Sequence, residues 1–324
     1  MKPAAGQRSG YRIARDRGCE YLLRQRRSDG GFGPEERGLA DCYKVAMAFA
    51  ACGETCAAHG LCHWIRRHGM SPDGDFGPRP EEARGYYYAY YNSWVILGAQ
   101  RIGQYDLSQR GMDFLMSLHD PVSGGFYSSA TEHDPSTLQD MWVVSGCGQA
   151  AVCTGRVEVA RGVGRWMNEV MRQQPNFPKQ LYSVYSRSGG LHRDATDDIR
   201  FVCNADATAD QYFFHPGIAA GFLCRLYQST REAEWLDLAK EYMRHAEAAS
   251  DYLFRLLRAG KVGWASAVLY TLTGEPKYRD MAIRVGDMLV ETQSDHGSWS
   301  LAGAYQNDIT AEMVVWLDEI DQAV

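Results

Sequence analysis

Four aspartates, Asp41, Asp140, Asp210 and Asp308, stand at the starts of segments that are apolar almost all round. Large aromatic or further polar side chains follow them: Tyr43 and Lys44, Trp142, Gln211 and Tyr212. An aspartate at a helix start is a favoured N-cap and complements the helix dipole, so capping accounts for part of the pattern. Acids beneath aromatic rings also suit proton transfer or the stabilisation of a cation, which makes Asp140 and Asp210 candidate catalytic groups. His215, followed by Pro216 in "DQYFFHPGIAAG", joins them as an acid or base titrating near neutrality, weighed against a hydrogen-bonded core histidine.

The stretch "ARGYYYAYYNSW" (83–94) sets Tyr86, Tyr87, Tyr88, Tyr90 and Tyr91 ahead of Trp94 at the start of a buried segment. Five phenolic hydroxyls cannot all go without partners in a core, so some are expected to meet a cavity. Tyr87, Tyr88, Tyr91, Trp94, Trp142, Tyr212 and Trp264 are therefore candidate substrate-lining residues. A long connection over about 175–209 carries His192, Arg193, Asp194, Asp197 and Asp198. Loops of that length in a compact fold are usually functional, and this one is expected to be a lid that brings Asp197 and Asp198 to the substrate. Cys52, Cys56, His59, Cys62 and His63 lie close together, but along one continuous helix, where packing accounts for them better than a zinc site.

The elements that must hold these residues form a repeat. Gly-rich turns recur as "SDGGFG" (28–33), "SPDGDFG" (71–77), "SGGFYS" (123–128), "SRSGGL" (186–191) and "SDHGSWS" (294–300). Between them, amphipathic charged segments such as "GYRIARDRGCEYLLRQ" alternate with apolar ones such as "LADCYKVAMAFAACG". An amphipathic helix shows one face to water and an all-round apolar helix is buried on every side, so the two kinds read as outer and inner helices. Twelve helices in six hairpins close best as a ring, which predicts an all-α (α/α)6 toroid forming one domain over 1–324.

Arg17-Gly18, Tyr21-Leu22, Gln25 and Gly31-Phe32 resemble the QW motif of the terpene cyclase and protein prenyltransferase superfamily, and Gly286, Leu289-Val290, Gln293, Gly297 and Trp299 resemble it again. The resemblance implies a toroid in which the glutamine bonds neighbouring repeat elements and the aromatic stacks on it. The chemical motifs of that superfamily do not carry over. Asp194-Ala-Thr-Asp197-Asp198 has one residue too many for Asp-x-Asp-Asp, "NDITAE" (307–312) has magnesium-site letters at the wrong spacing, and "CHW" (62–64) replaces "CHG". The expected function is a cyclase-like enzyme that folds an apolar polyene or polyketide in an aromatic cavity, by acid assistance or confinement. The alternatives are a carbohydrate epimerase or uronate lyase using His215 with Asp210, and a non-catalytic binding toroid. The aromatic content favours the first, because sugar sites mix in more Arg, Asn and Glu.

Of 324 residues 45% are hydrophobic and 23% charged, enough to bury a large core. The net charge of -6 with dispersed Lys and Arg argues against a nucleic-acid partner. No stretch approaches the ~20 apolar residues of a membrane span and no apolar leader is visible, so a cytoplasmic protein with its nine cysteines as free thiols is expected. No cofactor is expected, since no Gly-rich phosphate loop follows a strand.

Overall fold

A computed structural model describes residues 9–80, 87–194 and 199–324. Twelve α-helices run through them: α1 (Gly10–Gln25), α2 (Val45–Cys52), α3 (Thr55–His68), α4 (Tyr88–Arg101), α5 (Tyr105–Ser117), α6 (Met141–Cys153), α7 (Val157–Arg172), α8 (His215–Thr230), α9 (Ala233–Glu247), α10 (Gly260–Thr273), α11 (Pro276–Glu291) and α12 (Gln306–Ala323). The even-numbered helices contact one another in chain order and α12 returns to α2, so they form a closed inner ring. Contact between α1 and α11 closes the outer layer. The (α/α)6 toroid is therefore the observed architecture.

Burial follows the two helix types. On α7 the buried positions, among them Ala160, Val163, Met167 and Val170, fall on one stripe, whereas α12 is buried almost continuously from Asn307 to Asp318. The Gly-rich turns explain the spacing of the repeat. Gly30, Gly74, Gly124 and Gly297 share a left-handed conformation with φ between 83° and 92°. Each turn follows one outer helix and seats on the next. A Cβ at Gly124 would lie 2.3 Å from the Gly162 carbonyl oxygen on α7, and one at Gly297 would lie 2.5 Å from that of Arg17 on α1. Only glycine meets both demands, positive φ and backbone approach. The last of these turns carries the chain round to its first helix.

The two glutamines of the resemblance have different roles. Gln293 Nε2 donates to the Ala14 carbonyl of α1 at 2.8 Å and to the Gly297 carbonyl at 2.9 Å, bridging the ring closure. Gln25 is exposed and makes no side-chain bond among the described residues, and Arg27 instead donates to the Gly33 carbonyl at 3.0 Å. Gln293→Ala is accordingly expected to lower stability by about 0.5–1.5 kcal/mol, and Gln25→Ala to change it by no more than about 0.5 kcal/mol. Urea midpoints of the two variants check the contrast.

The 175–209 segment holds short strands, so helices are not the whole plan. β1 (Gln139–Asp140) pairs antiparallel with β3 (Val184–Ser186), which pairs with β4 (Gly190–Leu191), and β2 (Gln180–Tyr182) pairs with β5 (Val202–Asn204). All nine cysteines are free, and His59 accepts a bond from Gln104 at 2.8 Å. Among the described residues no His, Cys, Asp and Glu cluster is placed to hold a metal, and no helix is long and apolar enough to cross a membrane.

Candidate functional site

A cavity of about 350 Å³ opens at the end of the ring where the inner helices begin. Tyr43 and Lys44 enter it from the start of α2, Tyr87, Tyr90 and Tyr91 from α4, Trp142 from α6, and Tyr212 and Phe214 from the approach to α8. Lys261 enters from the first turn of α10, and Asp308 and Glu312 from the first turns of α12. The loop Leu301–Tyr305 and Arg258 form part of its rim. Gly217 on α8 faces the backbone of Lys261 and Val262, where a Cβ would lie 2.4 Å away, so the bare glycine lets α8 and α10 sit this close.

Four buried charges make the inner end of the cavity. Lys44 Nζ lies 3.0 Å from the Asp308 carboxylate and also pairs with Glu312, which pairs in turn with Lys261. Trp316 Nε1 donates to Glu312 at 3.2 Å. The two carboxyls are pushed apart. Burial, reinforced by the charge of Glu312 and opposed by Lys44, lifts Asp308 to about 6. Burial would raise Glu312 too, but Lys261 and Lys44 outweigh it and hold Glu312 well below the usual carboxylate range. Lys44, despite burial, is raised by Asp308 and Glu312 and stays charged. The walls are aromatic: Tyr43 and Tyr91 stack at 4.0 Å, and Lys261 Nζ lies 4.9 Å from the Phe214 ring centre. The Tyr90 hydroxyl and the Trp142 indole N–H are buried without a hydrogen-bond partner among the described residues.

Beneath the charges lies a tryptophan layer. Trp264 stacks on Trp316 at 4.8 Å, and Trp94 meets Trp316 edge-on at 5.7 Å. Beyond it a separate cavity of about 230 Å³ faces the opposite end of the ring.

Of the residues singled out from sequence, Tyr87, Tyr91, Trp142 and Tyr212 line the cavity together. Trp94 and Trp264 belong to the layer below it. Tyr88 turns away: its hydroxyl bonds Asp75 and its ring lies 3.8 Å from the Arg79 guanidinium. Asp140 does not line the cavity; it caps α6, accepting from the Trp142 and Val143 amides at 2.9 and 3.3 Å. Asp210 precedes α8 by five residues and lies outside the cavity, with its half-exposed carboxylate 3.0 Å from Arg258 Nε. Asp197 and Asp198 lie outside the described residues. The described residues of 175–209 do not line the cavity, and 301–305 occupies its rim instead.

His215 is wholly buried beside Phe214 and does not line the cavity either, and Pro216 sits in the first turn of α8, where no helical donor is lost. Neither of its ring nitrogens has a partner among the described residues. Burial, then the nearby charges of His245, Lys261 and Arg258, push it down to about 3. His245 is pushed down to about 4 by burial, against the bond of its Nδ1 to the Pro178 carbonyl at 2.7 Å. Both values lie below the ~6.5 of an unfolded histidine, so stability that is full above pH ~6.5 is lost as the pH falls towards them. Melting temperatures measured from pH 7 to 4 are expected to fall less steeply for His215→Gln than for the unmodified chain.

The chain matches no protein-family profile and no curated protein sequence. Solved structures do match. A D-mannose isomerase superposes with a TM-score of 0.73 at 12% identity, with 100% of each chain covered. The ring is built as in that enzyme. The GH76 α-mannanase of Bacteroides thetaiotaomicron gives a TM-score of 0.66 at 12% identity over 98% of this chain and 97% of that one. An unsaturated glucuronyl hydrolase specific for heparin gives 0.64 at 9% identity, with 97% of each chain covered.

These matches support a toroid and show no relation to terpene cyclases in particular. The expectation of a natural-product cyclase with an apolar substrate is corrected on two grounds. The structures that share the ring are named for carbohydrate chemistry. The cavity ends in four buried charges, where an apolar polyene needs a dry lining. Lys261 and Glu312 were not singled out as site residues from the sequence, yet Lys261 is the one charged residue of α10, and Asp308 and Glu312 are four apart on one face of α12.

Proposed function

We propose that this protein is an enzyme that moves a proton on the carbon next to a carbonyl of a sugar, as an isomerase, epimerase or lyase does. The observation that carries the reading is the Lys44–Asp308–Glu312–Lys261 network at the inner end of an aromatic cavity. Two neighbouring carboxyls with values pushed apart mark an acid–base assignment. Asp308, at about 6, is mostly ionised at neutral pH yet holds its proton easily once gained, so it suits the role of base. It takes the proton from carbon, the C–H electron pair becomes the enediolate, and the Lys44 and Lys261 ammoniums stabilise the oxygen that gains charge. Return of the proton to the adjacent carbon, with the hydroxyl proton passing between the two enediolate oxygens, gives isomerisation, and return to the original carbon gives exchange with solvent. Glu312 stays ionised and holds both lysines in place. The aromatic walls are available to the sugar's C–H faces.

Incubation with neutral aldoses, ketoses and uronates in deuterium oxide tests the reading. Deuterium is expected beside the carbonyl carbon of one sugar class, seen by proton NMR, with none for Asp308→Asn. Absence of incorporation into every class would overturn it.

A further inference from the structure

Arg258 stands in the short 3-10 turn Leu257–Ala259 that leads into α10, at the rim of the cavity. Its guanidinium lies 4.9 Å from the Tyr212 ring centre, and Nε is 3.0 Å from both oxygens of Asp210. The contact with Asp210 uses Nε alone. The two terminal nitrogens, which form the flat edge that matches a carboxylate, have no hydrogen-bond partner among the described residues, although the side chain is only 17% exposed. Asp210 is 47% exposed outside the cavity, so water screens its charge far more than that of the guanidinium. Among the cavity residues Lys44, Lys261 and Arg258 face Asp308 and Glu312, three cationic groups against two acids, and the inner helices turn their positive ends this way. The two lysines are taken up by the two acids, whereas Arg258 is tied to Asp210 through Nε alone and keeps its terminal nitrogens for a ligand.

Building on the proposed sugar chemistry, we infer that the substrate is an acidic sugar, a uronate, whose carboxylate is held by the terminal nitrogens of Arg258. Asp210 is a positioning residue that fixes the guanidinium from outside, and the Tyr212 ring supports its face. A uronate fits the rest of the cavity as well, since its ring meets the aromatic walls while its carboxylate stays at the rim.

The test is binding of D-glucuronate and D-glucose to the full chain, followed by NMR titration at one pH and ionic strength. Glucuronate is expected to bind at least about tenfold more tightly than glucose, the worth of a charge-assisted bond. Arg258→Gln is expected to bring the ratio within about twofold with glucose binding unchanged, and Asp210→Asn to weaken glucuronate severalfold. Should Arg258→Gln not fold, Arg258→Lys decides, because it keeps the charge without the fork and is expected to lose part of the preference. A wild-type ratio near one, or a ratio that none of these substitutions alters, overturns the inference. The deuterium experiment separates this from the parent reading. An Arg258-dependent preference without exchange into any sugar leaves the anion site standing and removes the proton-transfer role. Exchange into neutral sugars with no effect of Arg258→Gln does the reverse.

Discussion

Asp308→Asn is expected to lower the rate of sugar proton exchange by about 10²–10⁴-fold, the usual contribution of a positioned base. Asparagine keeps the shape of the side chain and can still accept from Lys44, so the fold is expected to persist. The sign of the stability change follows from linkage. Asp308 has a folded value of about 6, above the ~3.9 of an unfolded aspartate, so its stabilising contribution is present below ~3.9 and lost as the pH rises through 6. Removing the ionisable group therefore costs nothing on that account at pH 7 to 8. If Asp308 is the base proposed, kcat/KM of the unmodified chain is expected to rise as the pH passes about 6, because a base acts when ionised. A pH–rate profile together with the melting temperature of the variant checks both points. Unchanged turnover in a folded variant would remove Asp308 from the mechanism.

The second large effect is on stability. Glu312→Leu is expected to destabilise the protein by about 3–5 kcal/mol, because it leaves buried cations without their partner. Lys44 would keep Asp308, but Lys261 makes its only ion pair with Glu312 among the described residues. Glu312 is held below the usual carboxylate range, so its contribution is present above the unfolded glutamate value and is lost only in acid. The loss is thus expected across pH 5 to 8, and urea unfolding at both ends of that range measures it. A midpoint like that of the unmodified chain would mean that the network contributes nothing net to the fold.

The fold was legible because its determinants are local and repeated. A turn such as Ser294–Trp299 needs a glycine at positive φ lying on a backbone, and this requirement recurs wherever a turn seats on the next outer helix. Helix type was legible for a similar reason, since Met141–Cys153 has no polar face to offer water. The site was legible only in part. The aromatic walls announced themselves at Tyr87, Tyr91, Trp142 and Tyr212, but the acids did not. A capping aspartate and a cavity-lining one look alike in sequence: Asp140 caps its helix, while Asp308, at the same kind of helix start, faces a lysine more than 260 residues away. Lys44 and Lys261 come from hairpins far apart in the chain and meet only because the ring closes. Long-range pairing of this sort leaves no periodic trace.

The tryptophan layer under the charged network closes the inner end of the cavity among the described residues. Trp94, Trp264 and Trp316 block passage along the ring axis. A polymer strand cannot thread along the axis past these rings. If the proposed chemistry runs here, product and incoming substrate exclude one another, so inhibition by product is expected to be competitive, with turnover no faster than the occupant vacates.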